Sequence, residues 1–490
     1  MRLALLLVAL VPSVASAELP HRLPIGQGER VFLPPPPDDG TQPEQAGTVS
    51  NIIYLERCKG GCTIYPSGVD DAKTLRSSIP SNAMSEYRLD EFENSAGEIG
   101  AAADAEWAEV VKCVKEVYSP FNAVVTDVKP VNATSYHTDV VAGAATQLGL
   151  SSSILGVSPG VSCAPVDNRI TYTFANRHGG SGRARINHLC WTIAQETAHT
   201  YGLDHSFAFG DGRSACNDPL TYRSDCGGQK FFRNDSATCG EFSARPCDCG
   251  ATQNAHLSLL STFGPGTPIT RPPTVMVTQP ANGATVPNGY AVIAIAGAQR
   301  GISSVELWLN GYKWATAKGA AYGRDGQPDS SYSLPFPADV PDGIIDVVVK
   351  AKDDIGTTTT APMITVTKGA PCVSAETCAD GQRCDPTGRC LWDAPVGELG
   401  DECTFEQYCL TGTCAGTDEK TICTQSCVPG VSDGCPDASF ECLEQSAGRG
   451  VCWPKGAEEG NCLGCSAGTG APPFLIGLFG LGLILRKRRR

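Results

Sequence analysis

Cysteine is the residue that most restricts how this chain can fold. The sequence has 24 cysteines, and twelve of them lie in residues 372–452 with few apolar residues between them. Too little apolar side chain is present there to build a hydrophobic core, so disulfide bonds are expected to replace one. Zinc knuckles are the alternative, but they favour C-x-x-C pairs with nearby histidines, and this stretch contains neither. We therefore predict a disulfide-rich module that folds in an oxidising compartment.

The N-terminus indicates export independently of the cysteines. Arg2 precedes an apolar run from Leu3 to Val11, and small residues at positions 15–17 form the pattern that signal peptidases cleave. We predict cleavage after Ala17. The alternative is an uncleaved membrane helix, which needs about 20 apolar residues, roughly twice the length of this run.

Length and charge limit the architecture and the partners. A chain of 490 residues exceeds what one hydrophobic core usually fills, so about two to four domains are expected. Charged residues make up only 18% of the chain, and 54 glycines and 35 prolines favour loop-rich β modules over long surface helices. The net charge of -14 disfavours nucleic acid as a partner, because a polyanion would be repelled.

Changes in composition divide the chain into segments. Proline-rich polar sequence predicts a spacer or a short propeptide-like arm, and clustered glycine and proline predict a linker. The predicted segments are a signal peptide (1–17), a spacer (18–47), an α/β layer domain (48–264), a linker (265–273), a β-sandwich (274–368), a disulfide module (372–465) and a hydrophobic tail with a basic end (466–490). The fold class predicted for the whole chain is therefore multidomain α+β.

Residues 48–264 alternate between strand-like and helix-like patterns. Apolar periodicity marks two helices, at Asp104–Tyr118 and Arg185–Tyr201, and Gly202 ends the second. Runs rich in β-branched residues mark strands at Asn51–Leu55, Ala123–Val128, Thr138–Val141 and Arg169–Phe174.

The β-sandwich has its own sequence signature. Short β-rich runs recur between turn signals over about 95 residues, which is typical of a small sandwich. The stretches Gln279–Ala284 and Val305–Gly311 resemble bacterial immunoglobulin-like domains that follow secreted enzymes. That resemblance implies a spacer or an adhesive surface, and it names no ligand.

The stretch from Gln195 to His205 carries the chemistry. It reads Q-E-T-A-H-T-Y-G-L-D-H, which fits H-E-x-x-H-x-x-G-x-x-H except at its first position. Residues 195 and 199 lie on one face of a helix, so both can face one metal ion with Glu196 beside it. Gly202 has no Cβ and permits a sharp turn that brings His205 back as a third ligand. The pattern predicts a zinc site with room for a water molecule.

With these residues the chain resembles the metzincin superfamily of zinc metalloendopeptidases. The resemblance implies that Glu196 is the general base for a zinc-activated water and that His199 and His205 are metal ligands. Downstream, Leu220-x-Tyr222 matches the Met-x-Tyr turn that lies beneath the metal in this family. Leucine conserves the apolar volume of methionine, and Tyr222 is expected to approach the metal or the developing oxyanion.

Gln195 stands where the family has its first histidine ligand. Its amide oxygen can reach a metal, but a neutral amide oxygen is a weaker zinc donor than imidazole. His188 is not a substitute, because two helical turns separate it from Gln195 by roughly 10 Å. A chance match of the remaining pattern is disfavoured, because the chain has only 7 histidines.

Two hypotheses for function follow. The first is a secreted cell-surface Zn²⁺ metalloendopeptidase that cleaves extracellular protein or peptide, with Gln195, His199 and His205 as ligands. The second is a catalytically inactive domain of the same fold that serves adhesion or binding at the cell surface.

The cysteines of the α/β domain are expected to form structural disulfides around this site. Cys216 and Cys226 bracket the Leu-x-Tyr turn, and Cys190 precedes the predicted ligands. The same role is expected for Cys58, Cys62, Cys239, Cys247 and Cys249. Spacing alone leaves their connectivity open.

The C-terminus resembles the sorting signals of myxobacteria and their relatives. Gly464 and Cys465 precede an apolar run, Phe474–Leu485, and five basic residues end the chain. The run is short for a membrane span, but flanking basic side chains can reach the interface and hold a short anchor. In that family a sorting protease processes the tail near the cysteine. The resemblance implies transient membrane attachment and a location at the bacterial cell surface or outer membrane, or outside the cell.

Overall fold

The structure is a computed structural model that describes most of the chain. The described residues are 21–32, 49–160, 163–210, 212, 214–224, 226–319, 330–416, 420–427, 435–446 and 449–455. The predicted cleavage site at Ala17 and the tail with Gly464 and Cys465 lie outside them. Two compact units are present, one of residues 1–340 and 344–370 and one of residues 341–343 and 371–490. None of the helices in the described part has the length and apolar character to cross a membrane.

Strands dominate the described residues, and helices are few. The N-terminal domain (residues 49–264) contains α1 (Asp104–Tyr118), α2 (Gly182–His199) and α3 (Ala255–Phe263). The strands of this domain and of the segment before it are β1 (Glu29–Phe32), β2 (Ile52–Glu56), β3 (Cys62–Pro66), β4 (Arg76–Ser77), β5 (Tyr87–Leu89), β6 (Val124–Thr126), β7 (His137–Val141), β8 (Ile154–Ser158), β9 (Ile170–Thr173), β10 (Ser206–Phe209) and β11 (Ala237–Cys239).

A six-stranded sheet forms the centre of the N-terminal domain, with the order β1-β8-β9-β7-β2-β6. β9, β7, β2 and β6 are parallel to one another, whereas β8 is antiparallel to β9. β1 pairs with the other side of β8 in the parallel sense. β8 is therefore the edge of the domain's own sheet, and β1 covers that edge.

β1 lies within residues 18–47, the segment predicted to be a spacer or a short propeptide-like arm, and the sequence did not predict a strand there. Residues 29–32 are a strand of the central sheet, paired with Ile154–Ser158. The segment has no apolar period of its own, but an exposed sheet edge supplies backbone hydrogen bonds to an added strand whatever its side chains. Residues 33–47 lie outside the described part of the chain.

α1 and α2 pack against each other and against the sheet. The prediction for α1 is confirmed at both ends, and its buried side chains recur at helical spacing: Trp107, Val110, Val111, Val114 and Val117. α2 begins and ends slightly earlier than predicted, and every residue from Arg185 to His199 is buried. A disulfide joins Cys113 of α1 to Cys190, which lies inside α2.

Residues 274–368 form the predicted sandwich. One sheet has the order β12-β14-β17 and the other β13-β20-β18-β15-β16, with β19 paired to β18. The strands are β12 (Thr274–Gln279), β13 (Thr285–Val286), β14 (Ala291–Gly297), β15 (Ser304–Leu309), β16 (Tyr312–Lys318), β17 (Ser330–Pro335), β18 (Gly343–Lys352), β19 (Thr358–Thr360) and β20 (Ile364–Lys368). The facing strands bury alternate apolar residues between them, as a sandwich core requires.

A buried charge cluster joins the sandwich to the N-terminal domain within the first unit. Arg300 donates to both carboxylate oxygens of Asp354, at 2.7 and 2.9 Å. It also donates to the backbone carbonyl of Phe232 in the N-terminal domain, at 3.0 Å. From the N-terminal domain, Arg233 reaches Asp354 at 3.5 Å and the carbonyl of Arg300 at 2.5 Å. Paired charges, in addition to the linker, therefore connect the sandwich to the N-terminal domain.

The second unit is the predicted disulfide-rich module. Its strands are short, namely β21 (Arg383–Cys384), β22 (Cys390–Leu391), β23 (Cys414–Gly416), β24 (Thr421–Cys423), β25 (Ser426–Cys427), β26 (Phe440–Ser446) and β27 (Arg449–Pro454). Each successive group of four cysteines pairs its first with its third and its second with its fourth: Cys372–Cys384, Cys378–Cys390, Cys403–Cys414, Cys409–Cys423, Cys427–Cys442 and Cys435–Cys452. The spacing of the cysteines in the sequence did not predict this repeated pairing.

Candidate functional site

The end of α2 delivers three of the predicted site residues. Gln195, Glu196 and His199 lie in its last turns, and all three are buried. Gly202 follows with a φ of 84°, in the left-handed region where a residue with a Cβ is strained. The turn at this glycine leads to His205, directly before β10. The chain therefore folds back on the helix end as the motif predicts.

The two histidines of the motif meet at their Nε2 atoms, which are 3.0 Å apart. Their rings are nearly perpendicular, with an angle of 86° between the planes. The Nδ1 atom of His199 lies 2.6 Å from the carbonyl oxygen of Leu203. The Nδ1 atom of His205 lies 2.9 Å from Oε1 of Glu241. Each ring is thus held by a second partner on the side away from the other histidine.

These partners decide where the imidazole protons are. A carbonyl and a carboxylate oxygen only accept, so the Nδ1 atoms of His199 and His205 carry the hydrogens. Burial lowers the pKa of His199 well below its ordinary value, and His205 lowers it further. Burial also lowers the pKa of His205, although Glu241 opposes that shift. In two neutral rings the Nε2 lone pairs would face each other, which is unfavourable unless a cation lies between them.

Glu241 is a functional candidate for which the sequence offers no motif. It accepts from His205, and Arg245 in turn donates to it at 2.9 Å. Arg245 also donates to Asp204, the residue before His205, at 2.7 Å. The hydrogen bond from His205 lowers the pKa of Glu241 to about 2, so its carboxylate is charged. The Cys239–Cys247 disulfide closes the loop that carries both residues.

The side chains of Gln195 and Glu196 are buried and have no hydrogen-bond partner in the part of the chain that the structure describes. Among the described residues, neither the amide atoms of Gln195 nor the carboxylate oxygens of Glu196 have a protein partner. A buried polar group left without a partner costs about 1–3 kcal/mol, so such groups mark a place where a ligand or water completes the structure. Burial and the Asp139 carboxylate raise the pKa of Glu196 well above its ordinary value. A nearby cation would oppose this shift and favour the carboxylate.

Strand β8 approaches Glu196 very closely. A Cβ added to Gly156 would lie 2.5 Å from Oε1 of Glu196 and 2.5 Å from a methyl carbon of Thr192. Only glycine therefore lets the strand come this near to the carboxylate. The sheet edge and the end of α2 form one continuous site.

The Leu-x-Tyr turn lies next to His205. The ring of Tyr222 packs edge-to-face on His205, with the ring centroids 4.7 Å apart. Leu220 is fully buried, and its carbonyl accepts from the backbone of Ser206 at 2.9 Å. The Cys216–Cys226 disulfide brackets the turn. The Tyr222 hydroxyl donates to the carbonyl of Arg30 in β1, a contact for which the sequence has no signal.

His188 belongs to a different cluster. Its Nδ1 atom lies 3.3 Å from Nδ1 of His178, and its Nε2 atom lies 2.5 Å from Nη2 of Arg30. His188 therefore contacts residues outside the motif, which agrees with the expectation that two helical turns separate it from Gln195.

The donor set fits a zinc ion. Two imidazole nitrogens converge, both rings carry the outer partners typical of metal-bound histidines, and an amide oxygen and a carboxylate without protein partners lie in the adjacent helical positions. Gln195, His199 and His205 would hold the ion, and Glu196 would lie beside it.

The comparisons with known proteins bear on the sandwich. Residues 273–363 match the bacterial Ig domain family, so this part of the chain is an immunoglobulin-like domain. No sequence among the curated proteins matches the chain. No protease family model matches it either.

Three similar solved structures were compared. The fibronectin(III)-like modules of CbhA from Clostridium thermocellum share 17% identity over 20% of this chain and 99% of theirs, with a TM-score of 0.16. The SrpA adhesin of Streptococcus sanguinis shares 16% identity over 21% of this chain and 57% of its own, with a TM-score of 0.14. OgpA from Akkermansia muciniphila shares 11% identity over 62% of this chain and 96% of its own, with a TM-score of 0.18.

Proposed function

We propose that the N-terminal domain is a zinc-dependent endopeptidase of the metzincin type. The observation that carries the proposal is the 3.0 Å approach of the Nε2 atoms of His199 and His205, while both Nδ1 atoms face acceptors. Two neutral imidazoles in this arrangement are typical of metal ligands, because a cation between the Nε2 atoms offsets the repulsion of their lone pairs. The turn at Gly202 and the Tyr222 ring beneath His205 support the same assignment.

The chemistry follows from the positions of the side chains. Zinc held by Gln195, His199 and His205 would polarise a peptide carbonyl and lower the pKa of a water molecule. Glu196 is positioned to accept the proton of that water and to pass it to the leaving amine. Glu241 fixes the tautomer and orientation of His205. The Tyr222 ring packs on His205, and its hydroxyl, which donates to the Arg30 carbonyl in this structure, could instead donate to a developing oxyanion.

The substrate class and location are part of the proposal. The signal sequence ending at Ala17 and the disulfide-rich module support a substrate outside the cytoplasm. We expect extracellular protein or peptide as substrate. Processing by a sorting protease near Gly464 and Cys465, after transient membrane attachment, would leave the protein at the cell surface or outer membrane, or release it.

A second candidate is a binding or adhesion protein that keeps the fold without catalysis. Gln195 favours it, because an amide oxygen in place of imidazole weakens the metal site. The presence of an immunoglobulin-like domain is compatible with either function.

Zinc content of the full chain distinguishes the two candidates. After dialysis against micromolar zinc, we expect about one zinc per chain in the wild type and almost none in His199→Ala. His21→Ala is the matched control, since this histidine is exposed and contacts Glu93. Gln195→His should keep the zinc. If Gln195→His binds zinc and the wild type does not, the peptidase is rejected and the binding protein is supported.

A further inference from the structure

Residues 229–233 form a connecting segment between the Leu-x-Tyr turn and the immunoglobulin-like domain. Each of these residues is buried, although none belongs to a helix or strand. A buried irregular segment lacks the hydrogen bonds of a helix or sheet, so its backbone groups need individual partners. The partners of this segment lie on both sides of it, in two different domains.

The connecting segment is bonded to the turn through Asp218. The backbone N–H of Arg233 donates to Oδ2 of Asp218 at 2.9 Å, and the backbone N–H of Leu220 donates to Oδ1 at 2.9 Å. The carbonyl of Asn217 accepts from the backbone of Phe231 at 3.2 Å and from Nε of Arg233 at 3.3 Å. One buried carboxylate and one carbonyl therefore hold the turn to the segment.

Arg233 also binds the immunoglobulin-like domain with its side chain. Its Nη1 atom lies 3.5 Å from Oδ2 of Asp354 and donates to the carbonyl of Arg300 at 2.5 Å. Arg300 in turn donates to the carbonyl of Phe232 at 3.0 Å. Both partners lie in loops of the sandwich, Arg300 between β14 and β15 and Asp354 between β18 and β19. Arg233 therefore contacts the turn through its backbone and the other domain through its guanidinium.

The turn connects this contact to the proposed site. The backbone of β10 donates to the carbonyl of Leu220 at 2.9 Å. The indole N–H of Trp191 on α2 donates to the carbonyl of Pro219 at 2.7 Å. Two residues beyond Leu220, the ring of Tyr222 packs on His205. The position of the turn therefore determines where the Tyr222 side chain lies relative to the proposed metal ligands.

We propose that the immunoglobulin-like domain is a working part of the peptidase, because it fixes the Leu-x-Tyr turn through Arg233, which acts as a positioning residue. The inference rests on the proposed peptidase function, in which the Tyr222 hydroxyl donates to a developing oxyanion. Such a donor must be held within about 0.5 Å of its productive position. When the contact with Asp354 is lost, the turn is held less firmly. The chemical step then slows, and substrate binding changes little.

A change at Asp354 tests the proposal on the full chain. Asp354→Asn keeps the volume of the side chain and removes the charge that faces Arg233, so we expect kcat to fall about tenfold with little change in KM. Cleavage of fluorescently labelled, unfolded casein with zinc present gives both constants. Arg233→Lys keeps the backbone bond to Asp218 and a positive charge beside Asp354, so kcat should fall less, by about threefold. It also serves if Asp354→Asn does not fold.

Glu306→Gln is the matched control within the immunoglobulin-like domain. Glu306 accepts from Lys352 at 2.7 Å and from the indole N–H of Trp308 at 2.9 Å, and both partners are in the same domain. The change removes an ion pair of this domain and leaves Arg233 with its partners. Its kcat and KM should equal those of the wild type. A loss as large as that in Asp354→Asn would mean that any weakening of the domain slows hydrolysis, and the role of Arg233 would be rejected.

A double-mutant cycle distinguishes positioning from a general loss of stability. Tyr222→Phe removes the hydroxyl and should lower kcat by itself. If Asp354 acts through Tyr222, adding Asp354→Asn to Tyr222→Phe should lower kcat no further, because the hydroxyl whose position it determines is absent. If the two changes act independently, their losses multiply, and the proposed route through the turn is rejected.

Hydrogen–deuterium exchange tests the contact without relying on catalysis. The amide hydrogens of Leu220 and Arg233 both bond to Asp218. In Asp354→Asn, peptides from residues 217–224 and 229–233 should exchange at least about fivefold faster than in the wild type. Peptides from α1 should exchange at the wild-type rate. Equal acceleration in α1 would indicate that the whole N-terminal domain is destabilised, and it would overturn the proposal.

The outcomes separate this inference from the proposed function. If Asp354→Asn accelerates exchange in the turn but no form of the chain cleaves casein, the peptidase is rejected, while the hold of the immunoglobulin-like domain on the turn is supported. If Asp354→Asn cleaves casein with the kcat of the wild type, or if exchange in the turn is unchanged, the positioning role is rejected and the peptidase stands.

Discussion

α2 and β18 are both buried, but they bury different chemistry. β18 buries Ile345, Val347, Val349 and Ala351, and the residues between them are partly exposed. α2 also buries polar and charged side chains, among them His188, Thr192, Gln195, Glu196 and His199. The strand follows the two-residue period of a sandwich core. The helix has an apolar face in the core of the N-terminal domain, and it buries its polar side chains as well.

The difference separates burial that stabilises the fold from burial that costs stability. Each apolar methylene group removed from water contributes about 0.8 kcal/mol to folding. A buried polar group without a partner costs about 1–3 kcal/mol. Gln195 and Glu196 are in the second class among the described residues. Polar groups kept at such a cost are expected where a ligand binds, which is the reason to place the chemistry on α2.

Glu196→Gln should produce the largest effect. Loss of a general base lowers the rate of hydrolysis by about 10²–10⁴-fold, while zinc content stays at about one per chain. Peptide hydrolysis and metal analysis on the same sample check both parts. Glu109→Gln on α1 is the matched control, because Glu109 is exposed and pairs with Arg183. If Glu196→Gln hydrolyses peptide as fast as the wild type, Glu196 is not the general base. The contrast between α2 and β18 would then be weaker.

Asp354→Ala tests buried charges that do have partners. It would leave the guanidinium groups of Arg300 and Arg233 buried without their carboxylate, so we expect the free energy of unfolding to fall by about 3–5 kcal/mol. Urea unfolding of the full chain measures this. Asp393→Ala, at an exposed pair with Arg383, should change it little. A small effect of Asp354→Ala would mean that the interface between the two domains does not depend on the charge cluster.

Local patterns predicted part of this structure. α1 was predicted with its observed ends, because Trp107, Val110 and Val114 recur at helical spacing. A sandwich at residues 274–368 was predicted from short β-rich runs that recur between turn residues. The convergence of His199 and His205 followed from the motif, because a helix and one glycine turn determine it.

The rest depends on contacts between residues far apart in the sequence. Glu241 is 36 residues from His205 in the sequence and contacts it from a loop that a disulfide closes. The spacing of the cysteines does not reveal that disulfide. β8 was not predicted, because Gly156 interrupts its short apolar run, although that glycine is what admits Glu196. Arg30 belongs to a polar segment that was predicted to be a spacer or a short propeptide-like arm, and its contacts with α2 have no local sequence signal.

Gln195→Met should stabilise the zinc-free chain. Methionine has a similar volume and removes the amide group that has no described partner, so the free energy of unfolding in EDTA should rise by about 1–2 kcal/mol. Val347→Ala, the matched change in β18, should lower it by about 2 kcal/mol. Urea titrations give both values. Destabilisation by Gln195→Met would show that the amide already has hydrogen-bond partners, and it would contradict the contrast drawn between α2 and β18.

The smallest effect is expected from acid. Burial alone would raise the pKa of Asp354, but Arg300 and Arg233 outweigh it and hold that pKa below its ordinary value. A carboxyl with a lowered folded-state pKa contributes stability above its unfolded pKa of about 4, and this contribution is lost as pH falls through the folded value. Protonation removes the charge but keeps the side chain in place, so the loss should be smaller than in Asp354→Ala. Urea unfolding between about pH 7 and pH 3 should show a steeper fall for the wild type than for Asp354→Asn; parallel curves would indicate that Asp354 does not titrate in this range.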